Sequence, residues 1–138
     1  MLYQIAYVSL AEMPLEARVL SDILNVSKRN NARDGITGVL MYHDRIFFQI
    51  LEGEKYVVDN CYDRIANDRR HSNLSVIMDS AIESLTFPDW VMGYAGPDEI
   101  RGYSNEAIRS LNDLRHGGNQ GSIALALADN IFKKYNSF

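Results

Sequence analysis

The chain has 138 residues, of which 46% are hydrophobic and 23% charged, and carries a formal net charge of -4. That length supports one domain that buries roughly two thirds of its unfolded surface without staples, and the composition excludes a disordered chain or a fibrous repeat. The mildly acidic balance leaves no electrostatic footprint for nucleic acid or an anionic membrane. A lone cysteine, Cys61, excludes an internal disulfide, and neither a leader nor an apolar run near the ~18 residues of a spanning helix is present, so a cytoplasmic location is expected.

The first expected element is a strand over Tyr3 to Ser9, where apolar and β-branched residues occur at strand density. Leu15, Val19 and Ile23, with Leu20 and Leu24, then repeat at helical spacing. Pro14 suits the first turn of that helix, and Asn30-Asn31 is the expected terminator, because asparagine tolerates the left-handed conformation. Ile36 to Tyr42 and Ile46 to Leu51, joined by His43-Asp44-Arg45, read as a β-hairpin. Asp34-Gly35 is a turn dipeptide that stops any helix arriving from upstream.

A second helix is expected over Lys55 to Ala66, with Val58, Cys61, Tyr62 and Ile65 on one face. The polar stretch NDRRHSN reads as a loop, followed by strands over Leu74 to Ile82 and Val91 to Ala95. The order β-α-β-β-α-β-β is ferredoxin-like, an α+β fold with both helices on one face of the sheet. Residues 97–138 form a different kind of sequence. Ile108, Leu111 and Leu114 precede Gly117-Gly118, and Ile123, Leu127, Ile131 and Tyr135 repeat at spacing four. Two helices packed on the other face of the sheet, or on a partner, are expected there, which divides the chain into a domain over 1–96 and an extension over 97–138.

No metal-ligand spacing links His43, His71, His116 and Cys61, and no phosphate-loop glycine pattern occurs. The informative residue is Gln49. The run Phe47, Phe48, Gln49, Ile50, Leu51 is apolar on both faces, and a primary amide inside it costs a few kcal/mol unless partnered. Tyr7 is within reach if the first and third strands are neighbours. Taken singly, Tyr7 and Gln49 can be mutual structural partners, Asn30-Asn31 a helix cap, Asp68-Arg69-Arg70-His71 a solvated loop, and Trp90 and Met92 core residues.

Together, IAYVS, NNARDGITGVLMY, FFQILEGE, DRRHSN and FPDWVMGY, in this order and spacing, resemble the BLUF domain, the blue-light sensor that uses flavin. The resemblance covers about the first 95 residues. It implies a flavin, FAD foremost with FMN or riboflavin as alternatives, held between the two helices. It implies that Tyr7 donates an electron to the excited flavin and that Gln49 lies between this tyrosine and the ring. Asn31 and Asn30, with Asp68, Arg70 and His71, are implied cofactor contacts, and Trp90 and Met92 are implied in signal output. Leu85 departs from the pattern, since many members carry arginine there.

The chemistry of these residue types agrees. A neutral phenol, with a reference pKa of about 10, gives up its electron together with its proton, and an amide both donates and accepts, so it can relay that proton and rearrange. The expected function is a blue-light photoreceptor rather than an enzyme, with a red-shifted signalling state that alters contact with a downstream signalling protein or with further copies of the chain. A small ferredoxin-like enzyme and a light-independent interaction module are the alternatives. Each would be colourless.

Overall fold

The computed structural model describes residues 1–43, 45–69, 71–86, 88 and 92–95. Its elements are β1 (Leu2–Ala11), α1 (Ala17–Asp34), β2 (Thr37–His43), β3 (Ile46–Glu54), α2 (Lys55–Ala66), β4 (His71–Ala81) and β5 (Gly93–Ala95). They form one five-stranded sheet in the order β4-β1-β3-β2-β5. Every neighbouring pair is antiparallel except β2 with β5. The ferredoxin-like order read from the sequence is thus borne out, and β1 and β3 are neighbours.

Side-chain alternation sorts the strands onto two faces. On one, Ile5 pairs with Leu51, Tyr7 with Gln49 and Ser9 with Phe47, and across the next ladder Leu40 meets Gln49 and Tyr42 meets Phe47. The apolar members of this face pack in one cluster with Leu20 and Leu24 of α1 and Val58, Cys61, Tyr62 and Ile65 of α2. Both helices therefore cover the same face. On the other, Ala6, Val8, Val39, Met41, Phe48 and Ile50 are buried as well, with Val39, Phe48 and Ile50 at 0% exposure. Burial on both faces explains why β3 reads as a continuous apolar run rather than an alternating one. The helical pair expected here, in 97–138, lies outside the described residues.

Local chemistry shifts three expected boundaries. First, α1 does not stop at Asn30-Asn31 but runs on to Asp34, because the left-handed position that ends it is taken by Gly35, at φ 71, whose N–H donates to the Asn31 carbonyl. Glycine adopts that conformation without a Cβ penalty. Second, α1 begins at Ala17, so Pro14 precedes the helix instead of opening it. The Leu15 N–H donates to the Tyr42 hydroxyl at 3.2 Å, which fixes the approach to the helix. Third, the stretch read as a loop before β4 is partly strand: β4 starts at His71, which pairs with Ala11. Cross-strand pairing to β1 overrides the polar composition of His71-Ser72-Asn73.

The hairpin is tight where it backs the helices. A Cβ on Gly38 would sit 2.0 Å from the Ile50 carbonyl oxygen, so only glycine permits β2 and β3 to lie this close beside Gln49. At the turn, Arg45 takes the left-handed conformation at φ 68, and its guanidinium donates to the Ala11 and Glu12 carbonyls. The hairpin tip is thereby tied to the end of β1.

Candidate functional site

Between α1, α2 and the sheet lies a cleft that opens to solvent. Its inner end is formed by Tyr7 on β1, Gln49 on β3 and Leu40 on β2. Apolar walls come from Ile23 and Val26 of α1 and Ile65 of α2, with Phe47 behind them. Polar groups are set among these: Asn30, Asn31 and Ser27 on α1, Cys61 and Arg64 on α2, and Asp68 and His71 beyond it. A concave, mostly apolar space with a few converging polar groups is the form that small-molecule sites take.

Tyr7 and Gln49 are directly opposed in the β1–β3 ladder. The Tyr7 hydroxyl donates to Gln49 Oε1, and Gln49 Nε2 donates to Met92 Sδ at 3.5 Å. Both side chains are buried, at 3% and 4% exposure. The amide is thus gripped on its carbonyl side by a phenol and on its nitrogen side by a thioether, which is a weak acceptor. Burial raises the pKa of Tyr7 far above that of a free phenol, and nearby Cys61, Tyr62 and Asp68 push it in the same direction. The ring of Tyr62 meets that of Tyr7 edge-on at 5.5 Å, and His71 approaches from another side at 6.5 Å.

His71 is held by the protein at both ring nitrogens. Nε2–H donates to the Ile65 carbonyl at 2.7 Å, and Nδ1 is engaged with Ser9 Oγ at 2.8 Å. Its contribution to the cleft is therefore the ring rather than a spare hydrogen bond. At the outer part, Arg64 is steadied by Asp34 at 3.1 Å, and Asp34 also takes Arg33 at 2.9 Å. These two guanidinium groups draw the Asp34 pKa down to about 2. Burial raises the Cys61 pKa, with Arg64 opposing the shift.

Of the residues singled out from the sequence, the cleft gathers Tyr7, Gln49, Asn30, Asn31, Asp68 and His71, and Met92 joins them through Gln49. Arg70 and Trp90 lie outside the described residues. Ser27, Cys61 and Arg64 line the cleft without having been singled out. The signal for them was periodicity, since Ser27 precedes Asn31 by four and Cys61 precedes Ile65 by four. Among the described residues no group of His, Cys, Asp and Glu could hold a metal ion, and no helix is long and apolar enough to cross a membrane.

Comparison with known proteins decides what this cleft belongs to. Residues 2–93 match the family model described as BLUF, sensors of blue-light using FAD. This chain is a BLUF domain. It is 34% identical over 89 residues, 64% of its length, to the photoactivated adenylate cyclase subunit beta of Euglena gracilis. It spans about a tenth of the length of the curated relatives it first matches. Among solved structures it is similar to BlrB, a BLUF protein in its dark state, with a TM-score of 0.82, 26% identity and 96% of each chain covered. It is also similar to a bacterial light-regulated adenylyl cyclase, with a TM-score of 0.71 and 32% identity over 98% of this chain and 36% of that one. The domain is a flavin-based blue-light sensor, as the motifs led one to expect, and the α+β fold agrees with that of BlrB.

The donor set suits a flavin of this family. The isoalloxazine ring is flat, apolar on its faces and edged with carbonyl and imide groups. The cleft supplies apolar walls for the faces, and the amides of Asn30, Asn31 and Gln49 can both donate to and accept from such an edge.

Proposed function

We propose that this BLUF domain senses blue light through the Tyr7–Gln49 pair and passes the change on through Met92 to a protein partner or a second copy of the chain. One observation carries the reading: the Tyr7 hydroxyl donates to the carbonyl oxygen of Gln49 at the inner end of the cleft. The bound flavin, FAD foremost, would supply blue-light absorption and an excited state able to withdraw an electron. Asn31 and Asn30 would hold the carbonyl and imide side of the ring, and Gln49 its reactive edge. Asp68 and Arg64 stand where the polar chain beyond the ring would run, with Arg64 suited to a phosphate. Arg70 is assigned to that same portion by position in the sequence alone.

Tyr7 is then the electron donor. Its burial keeps the phenol protonated at physiological pH, so the electron leaves with the proton, which passes along the existing hydrogen bond to Gln49 Oε1. With that proton on Oε1, the amide would pass a proton from Nε2 to the ring that took the electron; Gln49 is then the imidic-acid tautomer and can turn, and its bond to Met92 Sδ changes with it. Because a thioether is a weak acceptor, giving up that contact costs little. Met92, with Trp90 assigned to the same task by sequence, would carry the change to β5 and to residues 97–138. The apolar stripes in 97–138 and the full burial of the distal face of β3 support a C-terminal extension that docks there. In this reading the chain's output is association rather than catalysis.

An absorption spectrum tests the proposal. The purified protein should be yellow, and blue light should move its flavin band reversibly to the red by several nanometres. Tyr7→Phe and Gln49→Leu should each bind flavin yet lose the shift entirely. An undiminished shift in either variant would falsify the mechanism.

A further inference from the structure

On the face of the sheet turned away from the cleft, β3 carries a carboxylate that the light-sensing reading does not use. Glu52 is 0% exposed and stands in a row with Gln4 on β1 and Thr37 on β2, beside Ala6, Ile50 and Val39. Taking a carboxylate out of water costs several kcal/mol unless donors surround it. Here they do: Gln4 Nε2 donates to Oε2 at 2.8 Å, and the Thr86 backbone N–H donates to both oxygens, at 2.9 and 3.0 Å. Gln4 Nε2 also reaches Thr86 Oγ1 at 3.4 Å. Thr86 belongs to the connection from β4 to β5, and Met92 stands at the far end of that connection, hydrogen-bonded to Gln49. Two residues of one strand, three apart and on opposite faces, thus hold two points of the same connection.

The two holds differ in strength. A charge-assisted bond from a backbone N–H to a buried carboxylate is roughly twice as strong as a neutral one, whereas an amide-to-thioether contact at 3.5 Å is weak. We propose that Glu52 is the fixed anchor of the output connection: it keeps Thr86 on the sheet in dark and light alike, so that a change at Gln49 is released at Met92 instead of loosening the whole connection. Glu52 is a positioning residue here, acting on the backbone and not on the chromophore. The inference rests on the proposed role of Gln49.

Hydrogen–deuterium exchange of the full, flavin-loaded chain tests it, read separately for peptides holding Thr86 and residues 92–95. In the unaltered protein, light should speed exchange over 92–95 and leave the Thr86 amide protected. In Glu52→Gln, whose side chain can only accept through one oxygen, the Thr86 amide should exchange more than tenfold faster in the dark. The flavin band should still shift on illumination, because Tyr7 and Gln49 are untouched, and dark recovery should change severalfold. Thr86→Pro removes the N–H while keeping Glu52, and should alter recovery in the same direction. Light-driven exchange at Thr86 equal to that at 92–95 in the unaltered protein would overturn the anchor, whether or not the variants fold. So would an unchanged Thr86 amide in Glu52→Gln. Loss of the spectral shift in the unaltered protein would instead strike the light-sensing reading.

Discussion

The two faces of β3 present the same alternation of side chains to very different surroundings. Phe47, Gln49 and Leu51 look toward the helices, where a cleft is left open. Phe48, Ile50 and Glu52 look the other way and are all at 0% exposure. Each face has one polar residue set among apolar ones, but the amide of Gln49 meets a phenol and a thioether, while the carboxylate of Glu52 is gripped by an amide and a backbone N–H. The difference separates two tasks along a single strand. One face keeps room and loosely held polar groups for a guest, and the other supplies packing and firm bonds that hold the frame still.

Damage to the two faces should therefore register in different measurements. The largest loss of stability is expected from Phe48→Ala, which empties a fully buried ring position on the closed face. Roughly 3–5 kcal/mol should be lost in denaturant unfolding, with the cleft residues and any flavin spectrum left in place. An equal loss from Phe47→Ala, with the flavin spectrum undisturbed, would mean that the open face is packed like the closed one.

A smaller, pH-dependent effect should come from Tyr7. Its pKa is raised in the folded protein above the ordinary value of 10.0. A raised phenol is protonated in the folded chain at pH values where the unfolded chain has already lost its proton, so its contribution to stability is complete below pH 10 and declines above it. Unfolding followed from pH 9 upward should show this decline, and Tyr7→Phe should make it shallower, leaving the part due to Tyr3, Tyr62 and Cys61, whose pKa values are also raised. A variant with the same slope would place the titration elsewhere.

The smallest effect is expected at the mouth of the cleft. Asp34 is held near pKa 2 by Arg33 and Arg64, and its depressed pKa adds stability above the ordinary value of 3.8 that is lost as pH falls toward 2. These pairs are open to solvent, where salt screens them. Asp34→Ala should therefore barely move the melting temperature at pH 7 while freeing Arg64. A large drop would show that the two helices depend on this bridge.

How much of this could be read in advance follows the same division. The order of elements was legible because the hairpin, α2 and β1 each carry a strong period, and Tyr7 beside Gln49 followed once β1 and β3 were neighbours. The end of α1 was misplaced because Asn30 and Asn31 have the chemistry of a terminator. Four residues on, Gly35 has the better left-handed residue, and a helix runs to the stronger stop. The start of β4 was missed for the opposite reason: Ser72 and Asn73 have little strand propensity of their own, and only the ladder to β1 makes them extended. Cys61 reads as one of the apolar-face residues of an amphipathic helix, and Arg64 beside that face carries no signal of its own. Which helical turn faces a cleft rather than a packed core is decided by the distance between two helices, and that distance is not written in either one.

Tyr42 fixes a different distance, from the sheet to the start of the first helix. Its ring stacks at a tilt on Phe47, with centroids 4.8 Å apart, while its hydroxyl takes the Leu15 amide just ahead of α1. The gap between strand and incoming helix is therefore spanned by one rigid side chain whose length is fixed by covalent bonds. A wedge of constant size at the root of the first helix thus holds the entry of that helix at one height above the sheet.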